Sequence, residues 1–177
     1  MRFSHQLRKL LRCVCLVLLS QTPWASAGDA ATRVNFLLIF SRFIEWDAVS
    51  LDPAASLRFC IAPGDLELSR EAPVLEQTQI RGHPIRVVSL SRAPEVAGCN
   101  VLFLPAELVP PLAPFLAAAE LSGALTVSDL PGFADKGGMV ELLPVNGRYQ
   151  FDINFSAVKR ARLYMSTKLL KLARSVK

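Results

Sequence analysis

The sequence lacks the glycine-rich motifs that usually bind nucleotide phosphates. Neither Gly-x-Gly-x-x-Gly nor Gly-x-x-x-x-Gly-Lys-Ser/Thr occurs in its 177 residues, so dinucleotide binding and nucleotide hydrolysis lose their usual support. The Gly-x-Ser-x-Gly elbow of serine hydrolases is missing, and no Cys-x-x-Cys pair suggests disulfide exchange. These absences argue against several common enzyme classes.

Histidine is nearly absent as well. The chain has two histidines, and His83 is the only one beyond the predicted signal sequence. It stands beside Pro84, and the Gly82-His83-Pro84 stretch predicts a turn with an exposed, idle side chain. One histidine and two cysteines that are expected to pair cannot build a zinc site. We therefore expect neither a metal nor a cofactor.

Carboxylates near one loop are the remaining candidates for acid and base catalysis. Asp129, Asp135 and Glu141 lie close together in sequence, but the sequence does not give their separation or burial. Without a supporting motif, we predict that the protein is not an enzyme.

The first 27 residues resemble a secretory signal. Arg2, Arg8, Lys9 and Arg12 give a basic start, an apolar run spans 13–19, and Ala25-Ser26-Ala27 fits a cleavage site. The run is shorter than the roughly 20 residues of a transmembrane span, although an uncleaved anchor is the alternative. We predict a cleaved signal over residues 1–27, a single domain over 28–177, and a periplasmic location.

Removal of the signal changes the charge argument. The signal holds four of the 20 lysines and arginines and none of the 15 acids, which leaves a mature net charge of +1. The basic character of the precursor therefore says little about nucleic acid, and we expect no nucleic-acid partner.

Two of the four cysteines also leave with the signal, so the mature chain keeps Cys60 and Cys99. One disulfide is the natural inference in an oxidising compartment. Closing a loop of about 40 residues would stabilise the fold by roughly 4 kcal/mol in the chain-entropy model. A redox-sensing role is the alternative.

The stretch 30–46 predicts a helix, with Asp29 available as its N-cap. This helix is apolar on more than one side, which fits either burial between the sheet and another helix or contact with a second chain. In the second case the anchors would be aromatic. They are Phe36, Phe40, Phe43 and Trp46.

The rest of the chain predicts alternating strands and helices. Strands are expected at 57–62, 85–90, 100–104 and 124–128, with helical character over 65–77 broken near Pro73 and a helix from about Pro111 to Leu121. Asn146-Gly147 is a strong hairpin signal between strands at 139–145 and 148–154. Asn154 can cap a last helix over 155–176. The pattern predicts an α/β fold with a mostly parallel sheet flanked by helices, a C-terminal antiparallel hairpin and a closing helix.

The loop between 129 and 139 is a candidate binding loop. Its Gly137-Gly138 pair either provides turn conformations or lets a ligand or partner reach the backbone amides. The candidate site residues are Asp129, Phe133, Lys136, Gly137 and Gly138.

The last predicted helix is strongly basic, because no acid follows Asp152. Its cations fit either a solvated helix surface or an acidic partner or membrane surface.

Several stretches together resemble the periplasmic YfiR family, whose name comes from a repressor of an inner-membrane diguanylate cyclase. The resemblance covers nearly all of the mature chain. The matching segments are Asn35-Phe36 through Phe43-Ile44-Glu45-Trp46, Leu57-Arg58-Phe59-Cys60-Ile61, Cys99-Asn100-Val101-Leu102-Phe103-Leu104, Leu125-Thr126-Val127-Ser128-Asp129, Phe133 to Leu142, and Phe151-Asp152-Ile153-Asn154 into the last predicted helix.

The resemblance implies an α/β fold without catalysis. It also implies dimerisation and binding to the periplasmic sensory part of an inner-membrane signalling protein, which restrains cyclic-di-GMP synthesis. Cys60 and Cys99 match one family disulfide, whereas a second disulfide of the repressor has no counterpart here. The alternative function is a small-molecule receptor with a pocket at the strand ends near Asp129 and Gly137, feeding a sensor kinase or another membrane protein.

Overall fold

The computed structural model describes residues 27–46, 55–108 and 110–177. The predicted signal therefore lies outside the described residues, except for Ala27. In these three ranges, no helix has the length and apolar character that a membrane crossing requires.

Helices and strands alternate through most of the described chain. The α-helices are α1 (Ala27–Arg42), α2 (Leu66–Glu71), α3 (Leu112–Ser122), α4 (Phe155–Arg160) and α5 (Thr167–Leu170). The strands are β1 (Ile44–Glu45), β2 (Leu57–Ile61), β3 (Gln79–Ile80), β4 (His83–Ser89), β5 (Val101–Leu104), β6 (Leu125–Ser128), β7 (Val140–Val145), β8 (Arg148–Ile153), β9 (Tyr164–Met165) and β10 (Ser175–Val176). Two 3-10 helices span Ala72–Gln77 and Ala93–Val96.

Eight strands form the central sheet in the order β10-β8-β7-β6-β5-β2-β4-β3. The five strands from β7 to β4 run parallel to one another, and β8 pairs antiparallel with β7. Short β1 and β9 form a separate antiparallel pair. The predicted fold class is therefore confirmed.

The chain changes direction across the sheet at β2. From β2 it moves to β4 on one side, then returns to β5 on the other side and continues outward to β6 and β7. In open α/β sheets, ligands bind in the crevice outside the carboxyl ends of the strands at such a switch point. The carboxyl ends of β2, β5 and β6 are therefore the place to look for a site.

The sheet separates two hydrophobic clusters. The larger one joins alternate residues of the strands to α1, α2 and the C-terminal segment, with Phe40, Phe59 and Phe103 fully buried. The smaller one places α3 on the other face, where Phe115 packs with Phe133. Only alternate strand residues face each cluster, as the two-residue period of a strand requires.

Most predicted elements are present. The helix after β2 gives way to a 3-10 helix at Ala72, next to Pro73, and α3 begins directly after Pro111. Asn146 and Gly147 both adopt positive φ, at 50° and 73°, as a type I′ hairpin turn requires. Asn154 Oδ1 accepts from the Ala157 amide and caps α4.

The first helix differs from its predicted bounds. It spans Ala27–Arg42, so Asp29 lies in its first turn and is not the N-cap. The helix stops before Trp46 because Ile44 and Glu45 pair with Met165 and Tyr164 in strands β1 and β9. His83 also leaves the predicted turn: it begins β4 half-buried, with its Nδ1 3.0 Å from the carbonyl oxygen of Ala55.

The prediction of one closing helix over 155–176 is wrong beyond Arg160. The chain turns at Arg162, whose φ of 57° is left-handed, and then forms β9, the short α5 and β10. Strand β10 adds to the sheet parallel to β8. Tertiary pairing therefore overrides a helical pattern that is continuous in the sequence.

A disulfide joins Cys60 in β2 to Cys99 just before β5. Both residues are buried in the smaller cluster. Burial keeps the bond away from soluble thiols, which favours a structural role over redox sensing.

Candidate functional site

A buried arginine marks the carboxyl edge of the sheet. The Arg33 side chain on α1 is only 7% exposed, and its Nη1 lies 2.5 Å from Asp65 Oδ2 and 2.7 Å from Asp129 Oδ2. The guanidinium carbon also lies 5.9 Å from the centre of the Phe103 ring in β5, within the range of a cation–π contact. One cation thus links the first helix to two loops that follow parallel strands.

Each acid in this cluster is fixed by a second bond. Asp65 Oδ1 caps α2 by accepting from the Leu68 amide, and Asp129 Oδ1 accepts from the Ala106 amide. These two hydrogen bonds, one in a helix cap and one to a loop amide, orient both carboxylates independently of Arg33. The cluster is therefore a preorganised part of the fold.

Charge outweighs burial at Arg33. Burial alone would lower the pKa of its guanidinium, but the carboxylates of Asp129 and Asp65 raise that pKa above its ordinary value. Nearby, the Tyr149 hydroxyl donates to Asp29 Oδ1. Burial, followed by this hydrogen bond, raises the pKa of Tyr149. At neutral pH the arginine is charged and the tyrosine is neutral.

An open cleft of about 380 Å³ lies against the cluster. Five carboxylates and one guanidinium line it, so its electrostatic character is acidic. Beneath it, Asp65 Oδ2 and Arg33 Nε are buried without a hydrogen-bond partner, although Asp65 Oδ2 remains in ion-pair contact with Arg33. The lining residues are Asp29, Arg33, Gly64, Asp65, Leu66, Glu67, Glu107 and Asp129.

Side-chain hydrogen bonds to its backbone hold the loop between β6 and β7. Buried Glu141 accepts from the amides of Gly132 and Ala134 at 2.7 and 3.0 Å. Asn154 Nδ2 donates to the Ala134 carbonyl, and Thr126 Oγ1 accepts from the Met139 amide. Side chains from β6, from β7 and from the residue after β8 thus satisfy the backbone of a loop that has no helix.

The adjacent glycines Gly137 and Gly138 of this loop have structural roles. Gly137 has a φ of +98°, and a Cβ on Gly138 would lie 2.0 Å from the Phe133 ring. Phe133 is fully buried, while exposed Lys136 donates to the Pro131 carbonyl. Of the five loop residues named as candidates, Asp129 is the one that lines the acidic cleft. A ligand or partner role for the loop stays a prediction.

The four aromatic candidates on and after α1 are not equivalent. Phe40 is completely buried and packs edge-on against Phe151 at 5.0 Å between ring centres. Phe36 and Phe43 are half-buried beside the same core. Trp46 is half-buried, and its Nε1 donates to the Asn100 carbonyl. Partner contact by these residues stays a prediction, and Phe40 already serves the core of its own chain.

The carboxylates considered for catalysis are engaged. Asp129 bonds Arg33 and Ala106, Glu141 bonds two loop amides, and Asp135 pairs with Lys177 at 2.5 Å. Among the described residues, no group of three or more acidic, histidine or cysteine side chains is arranged to hold a metal ion.

Sequence reasoning missed Arg33, Asp65 and Tyr149. Arg33 had a detectable signal: it lies beside Val34 and between Ala30 and Leu37 on the helix, all of which are core residues. A cation in such a position requires a buried partner. Its partners are 32 and 96 residues away, so the sequence could not identify them.

Among solved structures, one of those that match shares this fold at low identity. It is the crystal structure of a conserved domain protein from Vibrio cholerae O1 biovar El Tor, matched at a TM-score of 0.53 and 11% identity, covering 84% of this chain and 60% of that one. The chain thus spans about 60% of the length of that protein, and the likeness shows the fold alone. A comparison with curated proteins finds no match.

A family model gives the assignment. The model described as YfiR/HmsC-like matches residues 30–174. That range contains Arg33, both cysteines of the disulfide, the whole loop between β6 and β7, and every strand except β10. The resemblance seen in the sequence is confirmed, and the chain belongs to the YfiR/HmsC-like family.

Proposed function

We propose that this chain is a periplasmic, non-enzymatic regulator that binds the periplasmic sensory part of an inner-membrane protein and represses a diguanylate cyclase. Family membership carries the proposal. At family level, these proteins are non-catalytic periplasmic regulators of cyclic-di-GMP signalling that act through contact with a membrane partner.

The geometry of the site is consistent with a non-catalytic role. A general base must come within hydrogen-bond reach of the proton that it abstracts, and contacts that hold it in the fold restrict that reach. Asp129 and Glu141, the two carboxylates best placed by sequence, each have both oxygens occupied by Arg33 or backbone amides. Their present bonds maintain the loops.

Deletion of the gene tests the proposed repression. A repressor of a cyclase predicts that cyclic-di-GMP rises on deletion and returns to its original level when the gene is restored. Unchanged cyclic-di-GMP in the deletion strain would contradict repression. Nucleotide extraction followed by mass spectrometry measures the result.

Capture of the client is the direct test of partner binding. The tagged protein, applied to inner membranes solubilised in mild detergent, should retain one membrane signalling protein with a periplasmic domain. That domain, expressed alone, should bind the purified chain in calorimetry. If the domain does not bind, the regulator assignment fails.

The outer side of α1 is the proposed surface for a homodimer. Ile39 is 41% exposed there, with half-buried Phe36 and Phe43 beside it. An exposed aliphatic side chain flanked by aromatic rings can anchor a contact between copies. Ile39→Asp should shift the sedimentation coefficient from dimer to monomer, whereas Leu66→Asp on α2 should leave it unchanged. A wild-type monomer would overturn the dimer.

A small-molecule receptor is the second candidate, and the acidic cleft favours it. The cleft lies at the switch point of the sheet, where ligands bind in this architecture, and its carboxylates suit a ligand with an ammonium group. Buried Asp65 Oδ2 lies beneath the cleft without a hydrogen-bond partner, although it pairs with Arg33.

Thermal shift with putrescine and spermidine tests the receptor. Binding to the folded state raises the melting temperature by an amount that grows with the ratio of ligand concentration to dissociation constant. Glu67→Gln with Glu107→Gln removes two exposed charges from the cleft and should weaken the shift. Glu45→Gln with Glu71→Gln removes the same charge elsewhere and should preserve it. Equal effects of both pairs, or no wild-type shift, would reject this site.

A further inference from the structure

Helix α3 presents an apolar outer surface. Glu120 is the only charged residue among its eleven, while Phe115 and Ala119 alone are buried. The opposite side of the helix, which faces solvent, therefore consists mainly of alanine, proline and leucine. Leu121 near its end is 90% exposed. Isolated exposed leucines are normal, so the surroundings of Leu121 decide its meaning.

Leu121 borders a groove of about 450 Å³ between the end of α3 and the turn after α4. Its apolar lining combines Leu121 with Trp46, Ala161 and Leu163. We call this concavity the Trp46 groove. The complete lining is Trp46, Glu120, Leu121, Ser122, Gly123, Arg160, Ala161, Arg162 and Leu163.

Two arginines give the Trp46 groove a positive edge. Arg160 Nε binds Glu120 Oε2 at 3.0 Å, so its charge is partly offset. Arg162 is exposed, and within the described ranges no acidic side chain reaches ion-pair distance of it. Arg162 lies in a turn in which its φ is left-handed and its backbone amide donates a hydrogen bond to the Lys159 carbonyl. An unpaired cation therefore stands beside exposed apolar surface.

Charge selects among the possible occupants of this groove. A second copy related by two-fold symmetry would bring like charges together, which costs free energy. A flat lipid surface would not reach Trp46, which is half-buried inside a concavity. A protein segment with an apolar side chain and a neighbouring carboxylate satisfies both the apolar lining and Arg162.

We propose that the Trp46 groove binds an amphipathic, acidic segment of the membrane client. The apolar side chain of that segment packs between Trp46 and Leu121, and its carboxylate pairs with Arg162. This inference rests on the proposed regulator function and assigns the client surface to the groove between the end of α3 and the turn after α4, which is lined by residues other than Ile39, Phe36 and Phe43 of the proposed dimer surface. It also gives Arg162, in the basic C-terminal segment, a partner of opposite charge.

Matched substitutions test the Trp46 groove. Leu121→Asp removes apolar contact and adds repulsion toward a carboxylate, while Arg162→Asn removes the cation with a residue that tolerates the left-handed conformation. Leu172→Asp and Lys168→Asn make the same chemical changes at exposed sites outside the groove. Thermal melts of all four variants verify that the fold is retained.

Calorimetry with the periplasmic domain of the captured client gives the readout. Each groove variant should weaken binding by roughly tenfold or more, because buried apolar anchors and close charge pairs contribute on that scale. The two control variants should bind within about twofold of wild type. Cyclic-di-GMP in cells should rise with the groove variants alone.

The outcomes separate the two levels of inference. If wild type binds the client domain and the groove variants bind equally well, the Trp46 groove is wrong while the regulator function stands. If groove and control variants weaken binding equally, the effect is general charge and the groove is also rejected. If wild type does not bind, the proposed function fails first.

Discussion

Arg33 and Arg162 have opposite surroundings in the same molecule. Arg33 is buried against two carboxylates and an aromatic ring, whereas Arg162 is exposed at the edge of an apolar groove. Removing a buried ion's partner is costly, but an exposed charge contributes little to folding. The comparison separates a cation that stabilises the chain from one that remains available to another molecule.

The largest effect is expected when Arg33 is replaced. Arg33→Met keeps much of the side-chain volume but leaves the buried Asp65 and the partly buried Asp129 without their cation. The free energy of unfolding should fall by about 3–5 kcal/mol, as measured by urea denaturation at neutral pH. A loss below about 1 kcal/mol would mean that the cluster does not stabilise the fold.

A smaller loss in the free energy of unfolding is expected from Gly138→Ala, in the loop between β6 and β7. The new Cβ would lie within 2.0 Å of the Phe133 ring, and overpacking of this kind costs up to about 3 kcal/mol. Adding Phe133→Leu should recover part of the loss, because the shorter side chain vacates the contact. Urea denaturation measures the free energy of unfolding of both variants. If the second substitution restores none of the lost free energy, the clash is excluded as the cause.

Asp152 provides an intermediate case, because its partner Arg174 is half-exposed. The hydrogen-bonded Arg174 guanidinium lowers the pKa of Asp152, so the pair stabilises the fold fully above the ordinary value of about 4 and loses that contribution as pH falls through the depressed pKa. Asp152→Asn should cost about 2 kcal/mol at neutral pH. The melting temperatures of the wild type and of Asp152→Asn should converge as the pH falls from 7 to 3. A constant difference between them over this range would contradict the linkage.

The smallest effect on the free energy of unfolding is expected at the exposed Arg162. Arg162→Asn should change the free energy of unfolding by less than about 0.5 kcal/mol, while reducing client binding. A stability loss like that of Arg33→Met would show that Arg162 also stabilises the fold and would remove the contrast. Paired urea denaturation and calorimetry on one protein batch provide the measurement.

The sheet could be predicted from sequence because its signals are local. Strand β5 is a continuous apolar run that is buried on both faces, and Asn146-Gly147 alone defines the hairpin. Pro111 marks the start of α3. Such features need no knowledge of distant residues.

The buried cluster and the C-terminal segment could not be predicted in this way. Arg33 acquires its role only when Asp65 and Asp129 meet at the same edge of the sheet. In the segment after Asn154, apolar residues repeat at helical spacing, but pairing of Met165 with Ile44 and of Val176 with Ile153 determines the structure. Long-range contacts therefore decide where local preference is weak.

The small β1–β9 pair also constrains the order of folding. It joins Ile44, just after the first helix, to Met165 near the end of the described chain, and both residues belong to the larger hydrophobic cluster. Closing so long a loop is entropically expensive, and contacts of this kind slow folding. Native closure of the larger core must therefore wait for the segment containing Met165, which makes the last part of the sequence necessary for completing what the first helix begins.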